Sequence, residues 1–277
     1  MESPRWWQWP TVLSLDAPAV SVLWQVALAR VADVHLQWPH MVVLGATVWL
    51  AYAADRWIEG WHLHWRDIRT QRHHFYQRWR WPVALVWLIV FAADVAVAFL
   101  RLDWREIAAG ALLMAPVLLY LLSHQLVHRH RRWRAPKEVC VAALLTGGAC
   151  VFLVPSPHVA DLASAASLFA LLAFTNCALI SSWEREVDEA HGQTSLALDA
   201  TEHSWAIHQL PWMIAVLSAA ASLGATGASR QVALAALASA LLLAAVDWLE
   251  RRAGWKLARV LADVALMTPA ILLLGRG

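Results

Sequence analysis

The chain has 277 residues, 60% of them hydrophobic and only 15% charged, whereas soluble domains run at about 45–50% apolar and about 25% charged. That balance excludes a water-soluble globular fold, and a net charge of only +2 argues against a nucleic-acid partner. All but two of the 22 basic residues are Arg, the side chain whose planar fork matches phosphate and carboxylate.

In chain order, the opening carries Trp6, Trp7 and Trp9 in place of a basic patch and an apolar core, so it reads as an interfacial segment and not as a cleavable signal. An apolar helix crosses a bilayer in about 20 residues. Runs of that length cover Pro18 to Leu36, His40 to Ile58, Pro82 to Leu100, Glu106 to His124, Lys137 to Val154, Asp161 to Trp183, Trp205 to Gly224, Arg230 to Leu249 and Trp255 to Leu274. They predict an all-α membrane protein of nine transmembrane helices, one integral domain over residues 1–277. Arg30 with Asp33, and Arg259 with Asp263, sit at i,i+3 and i,i+4 inside the first and last runs, where each pair is expected to neutralise itself or to serve packing between helices. Cys140, Cys150 and Cys177 lie in apolar runs without disulfide or metal spacing. Most basic residues precede the first run or follow the second, fourth, sixth and eighth, which predicts a cytoplasmic amino terminus and a carboxyl terminus on the far side.

Two acidic pairs stand at predicted helix ends. Asp55 and Glu59 close the second run one turn apart, and Glu184 and Asp188 close the sixth with the same spacing. Both runs point the same way, so the four carboxylates arrive at one membrane face. Anions brought together need cations, and hard oxygen ligands suit Mg²⁺, which typically takes one or two carboxylates plus substrate phosphates. The adjoining loops bring Arg69, Arg72, His73, Arg78, Arg131, Arg134 and Lys137. Metal and Arg above an apolar bundle fit an amphiphile with a diphosphate head.

On these residues the sequence resembles the UbiA-type intramembrane prenyltransferases, nine-helix proteins with aspartate-rich motifs after helices two and six. The helix-two pattern N-D-x-x-D-x-x-x-D reads A-Y-A-A-D-R-W-I-E here, keeping Asp55 and Glu59 and replacing the leading Asn and Asp by Ala51 and Tyr52. The second pattern, D-x-x-x-D-x-x-x-G-x-x-T, is filled by Glu184, Asp188, Gly192 and Ser195. The windows TQRHHF, KEVCVAALLTGG, FTNCALISSWEREVD and RVLADVALMTP look like a bacterial branch of the superfamily. The resemblance implies an enzyme of the bacterial inner membrane that moves an isoprenyl group from a prenyl diphosphate to a lipophilic acceptor. It also implies Mg²⁺ held by Asp55, Glu59, Glu184 and Asp188, with Arg69, Arg72, His73, Arg134 and Lys137 near the diphosphate. Trp49, Tyr52 and Trp183 are the aromatic candidates to face the allylic cation. A membrane terpene cyclase using the same diphosphate site is the near alternative. Outside catalysis, a lipid- or pigment-binding subunit of a larger membrane complex would account for the altered helix-two motif and the 19 Trp.

Three further features need placing. His124 and His128, with His73 and His74, form too few boxes for a di-iron centre. Asp94 falls past the middle of the third run, where a hydrogen-bonded acid inside the bundle is expected. Asn176, two turns before Glu184, points either to a cavity acceptor or to a neighbouring helix.

Overall fold

The computed structural model describes residues 3–62, 70–123, 136–154, 156, 158–191, 195–199 and 204–274. A 3-10 turn at Trp6–Gln8 leads into α1 (Trp9–Val12), and α2 (Asp16–Val31) follows at an angle of 75°. Next come α3 (Trp38–His62), α4 (Gln71–Arg78), α5 (Arg80–Arg101), α6 (Trp104–Leu122), α7 (Lys137–Cys150) and α8 (Val159–Trp183). The chain continues with α9 (Arg185–Ala190), α10 (Leu196–Asp199), α11 (Ser204–Gly224), α12 (Gly227–Ala253), α13 (Trp255–Ala265) and α14 (Pro269–Leu274). Each apolar run of the sequence contains at least one of these helices. By length and composition, α3, α5, α6, α8, α11 and α12 reach membrane-spanning size.

The other three runs are shorter or broken, for local reasons. The first stops at Val31, five residues early, because Asp33 takes the left-handed φ of +52° that Asp tolerates. The freed carbonyl of Ala32 then accepts from Ser156 Oγ at 2.7 Å. The fifth run ends its helix at Cys150 and finishes in turns. The ninth is interrupted between Ala265 and Pro269, whose ring nitrogen has no proton to continue a helix. Trp24 Nε1 donates to the released carbonyl of Leu266 at 2.9 Å, and Thr268 Oγ1 donates to Ala235 O at 2.8 Å.

The core lies where α2, α8, α12 and α13 meet. Trp24 and Phe169 stack there at 4.7 Å, and Ala27, Ala173, Ala236, Ala240 and Ala262 let the backbones approach. In contrast, α5 buries only Asp94, and α6 buries no residue. Leu85, Leu88, Ile89 and Leu100 of α5 and Leu112, Leu119 and Leu122 of α6 are exposed, as on a lipid-facing flank. Helix α6 still starts sharply: Asp103 Oδ1 accepts from Glu106 N and Glu106 Oε2 from Asp103 N, both at 2.9 Å.

Of the two arrangements expected for these arginines, contact between helices is the one that forms. Arg30 donates to Leu272 O of α14 at 2.7 Å, and Asp33 is exposed in its turn. Arg259 leaves Asp263 and crosses to Glu184. A long guanidinium reaches an acceptor on another helix as easily as one a turn away, and packing decides between them.

Candidate functional site

Helices α3 and α8 face each other across a chamber, with α2 and α7 standing between them. The chamber, about 170 Å³, brings together all four predicted carboxylates. Its described walls carry seven carboxyl groups (Asp16, Asp55, Glu59, Glu138, Glu184, Asp188 and Asp263) and four cations (Arg56, Arg72, Lys137 and Arg259). Asp55 and Glu59 share one face of α3, as their spacing requires. At Glu184 the chain kinks out of α8 into α9, which swings Asp188 back toward the start of α7.

Protein cations or N–H donors stand against Glu59, Glu184 and Asp188. Glu184, 3% exposed, accepts from Arg259 Nη1 at 2.6 and 2.7 Å and from Arg72 Nη2 at 3.0 Å. Asp188 lies 3.5 Å from Lys137 Nζ. Glu59 accepts from His73 Nε2 at 2.7 Å, with Arg56 at 4.0 Å. Burial pushes the His73 imidazole down to about 4, and the hydrogen bond to Glu59 only partly offsets this. His73 is therefore neutral near pH 7: Nε2–H donates to Glu59 and Nδ1 accepts from Thr70 Oγ1 at 2.6 Å. Threonine 70 is also the residue that caps α4, so one hydroxyl sets both the helix start and the imidazole tautomer.

This arrangement decides how a metal fits. The oxygens of Glu59, Glu184 and Asp188 turn toward separate cationic or N–H partners, and among the described residues no three His, Cys, Asp or Glu side chains are grouped to hold a metal ion. The described residues do not form a ready-made cage for Mg²⁺.

A second, apolar cavity of about 380 Å³ lies between α3, α5, α6 and α7. It meets the charged chamber at Tyr52, Asp55, Tyr120, Val141 and Leu145, which line both. Of the aromatic residues picked from the sequence, Tyr52 stands at this junction. Trp49 and Trp183 do not line either space: Trp49 Nε1 donates to Leu13 O at 3.0 Å, and Trp183 Nε1 to Asp247 Oδ1 at 3.0 Å. Both are interhelical ties, as interfacial Trp residues often are. Asn176 does line the chamber, with Nδ2 donating to Asp263 Oδ1 at 2.9 Å, so it faces the cavity and bonds a neighbouring helix at once. Arg69, Arg134, Gly192, His124 and His128 lie outside the described residues.

Several chamber residues were not singled out from the sequence. Arg56 sits beside Asp55, Glu138 follows Lys137, and Tyr120 ends its run one turn before the basic loop; each adjacency was a usable signal. Asp16 and the true partner of Arg259 had none.

No family model matches the sequence, and no curated protein does. Among solved structures, the chain is similar to the apo structure of a UbiA homolog from Aeropyrum pernix K1, at 16% identity and a TM-score of 0.57. The match covers 94% of this chain and 98% of that one. The chain has the UbiA-type fold over its length.

Proposed function

We propose that this chain, built on the UbiA-type fold, is an intramembrane prenyltransferase that moves an isoprenyl group from a prenyl diphosphate to a lipophilic acceptor. One observation carries the reading: an apolar cavity and an ion-rich chamber share the wall of Tyr52, Asp55 and Tyr120, the outline of an amphiphile with a hydrocarbon chain and a charged head. In this reading the chain crosses the bacterial inner membrane nine times, with the amino terminus and the chamber on the cytoplasmic side.

The prenyl chain lies in the apolar cavity and the diphosphate in the chamber. As the allylic carbon–oxygen bond breaks, its electron pair leaves with the diphosphate. Arg56, Arg72, Lys137 and Arg259 stabilise that developing charge. Tyr52 and Tyr120 flank the point where the carbocation forms, where an aromatic face is worth about 0.5–2 kcal/mol. The acceptor closes the new bond and gives its proton to a chamber carboxylate. The described walls of the chamber carry more carboxyls than cations, so Mg²⁺ enters this proposal as the counter-ion of the diphosphate, part of the substrate.

The test is to incubate the purified chain with labelled C10 to C20 prenyl diphosphates and Mg²⁺, with and without membrane extract. Product that requires extract supports transfer; product without it is cyclisation; no product in either rejects an enzyme. A second reading has an observation of its own, since Glu59, Glu184 and Asp188 are already matched within the chain. It makes the chain a non-catalytic lipid- or pigment-binding subunit. Native mass spectrometry after mild extraction separates the two. A stable heteromer without diphosphate favours the subunit, and a lone chain carrying prenyl diphosphate favours the enzyme.

A further inference from the structure

At the chamber's end of the bundle, and separate from it, lies a polar pocket of about 290 Å³, room for roughly ten waters at about 30 Å³ each. The amino-terminal segment gives it Arg5, Trp7 and Gln8, and the turn between α12 and α13 gives it Lys256. Gly254 makes that turn possible, because its φ of +81° is one that an L side chain rarely adopts. Helix α13 therefore starts directly after α12 and carries Lys256 against the segment.

What these walls offer is one-sided. Gln8 is 7% exposed, and its Oε1 accepts from Arg5 N at 2.8 Å, which leaves Nε2 as the unused end of the amide. That Nε2, the Trp7 indole N–H and the Arg5 and Lys256 charges meet no acceptor or counter-ion among the described residues; the ammonium of Lys256 has only the Trp255 ring, 5.7 Å away. No carboxyl stands on the described walls of the pocket. A narrower space of about 40 Å³ shares Gln8 and Lys256 with it, and the one carboxyl there, Glu184, is already taken by Arg72 and Arg259. Exposed cations at helix ends need only water. A buried amide with an unused N–H beside two of them calls for a reason. A wall of donors without an acceptor is the complement of phosphate oxygens, which only accept.

We propose that this pocket binds a phosphate group, held between Arg5 and Lys256, with Gln8 Nε2 donating to one of its oxygens. Trp6 and Trp9, on the same segment, are exposed, as side chains at a membrane surface are. The phosphate therefore comes from a lipid headgroup or from a free anion, and the donor set is the same for both. The site stands apart from the transferase reading and does not depend on it.

The experiment uses the purified full chain in non-ionic detergent and two probes. One is labelled inorganic phosphate in equilibrium dialysis. The other is dioctanoyl phosphatidic acid against dioctanoylglycerol, equal in tails and differing by the phosphate, in native mass spectrometry. The wild type is expected to bind a phosphate-bearing probe in preference to dioctanoylglycerol. Arg5→Gln and Lys256→Gln should each weaken binding roughly fivefold, the usual worth of one cation near a membrane surface. Gln8→Glu keeps the acceptor for Arg5 N and exchanges the free donor for a negative charge, so it should weaken binding roughly tenfold or more. Arg252 stacks on Trp248 at 4.3 Å outside the pocket, and Arg252→Gln should leave the affinity unchanged. Binding of inorganic phosphate that displaces phosphatidic acid identifies a site for free anions; binding of phosphatidic acid alone identifies a lipid headgroup. No binding of either phosphate-bearing probe overturns the proposal, as does equal retention of dioctanoylglycerol. Undiminished binding in the Arg5→Gln, Lys256→Gln double variant places the anion elsewhere, the charged chamber included, and overturns it. An effect of Arg252→Gln as large as that of Lys256→Gln reduces the attraction to diffuse surface charge and overturns it too. Arg5 and Lys256 are exposed, so their variants fold and decide the matter even where Gln8→Glu does not.

Discussion

Arg259→Met tests the electrostatic centre of the chamber most directly. Glu184 is almost fully buried and takes hydrogen bonds from Arg259 through both carboxylate oxygens and from Arg72 through one. Removing one partner of a buried ion pair typically costs about 3–5 kcal/mol. Here Arg72 remains, so the expected loss is smaller, about 2–3 kcal/mol, the worth of a charge-assisted hydrogen bond. Glu184→Ala strands two buried guanidiniums and costs the full amount, about 3–5 kcal/mol. At roughly 2–4 °C per kcal/mol for a chain of this size, the Arg259 variant melts about 4–12 °C lower. The assay is thermal unfolding in detergent of wild type, Arg259→Met, Glu184→Gln and the double variant. The two sites touch, so the cycle should give a coupling energy of at least about 1 kcal/mol. Additive losses would refute the pairing and return Arg259 to Asp263 on its own helix.

Other expected outcomes follow from single contacts. His73 holds a proton less readily folded, at about 4, than unfolded, at about 6.5, so its contribution is whole above pH 6.5 and fades as pH falls toward 4. The limit is about 3 kcal/mol, and His73→Gln should flatten that part of a stability-against-pH curve. Trp24→Phe keeps a ring against Phe169 and leaves the Leu266 carbonyl without its donor; a loss of about 1–3 kcal/mol is expected in chemical unfolding, and an unchanged midpoint would place the α13–α14 break under other control. A Cβ at Gly148 would stand 3.0 Å from Leu44 Cδ1, so Gly148→Val should lower stability by about 1–3 kcal/mol in thermal unfolding, and an unchanged midpoint would show that Leu44 moves aside freely.

Hydrophobic run length and helical spacing are local properties, and they carried far. Six of the nine apolar runs became helices of spanning size, and Asp55 and Glu59 on α3 met Glu184 at the end of α8 and Asp188 on α9 in one chamber. Arg72, Lys137, Asn176 and Tyr52 were legible for the same reason, each lying within a few turns of those pairs or on the loop beside them. Partnership was not legible. Arg259 passes over Asp263 for Glu184, Trp49 and Trp183 turn to Leu13 and Asp247 instead of the cavity, and Asp94 meets Thr47 across 47 residues. Such choices depend on which faces are pressed together once the bundle closes, when a side chain several ångströms long can find acceptors on two or three helices. The pairing of the carboxylates belongs to the same level: sequence places four of them at one membrane face, and the packed bundle sets Glu59, Glu184 and Asp188 against His, Arg and Lys partners.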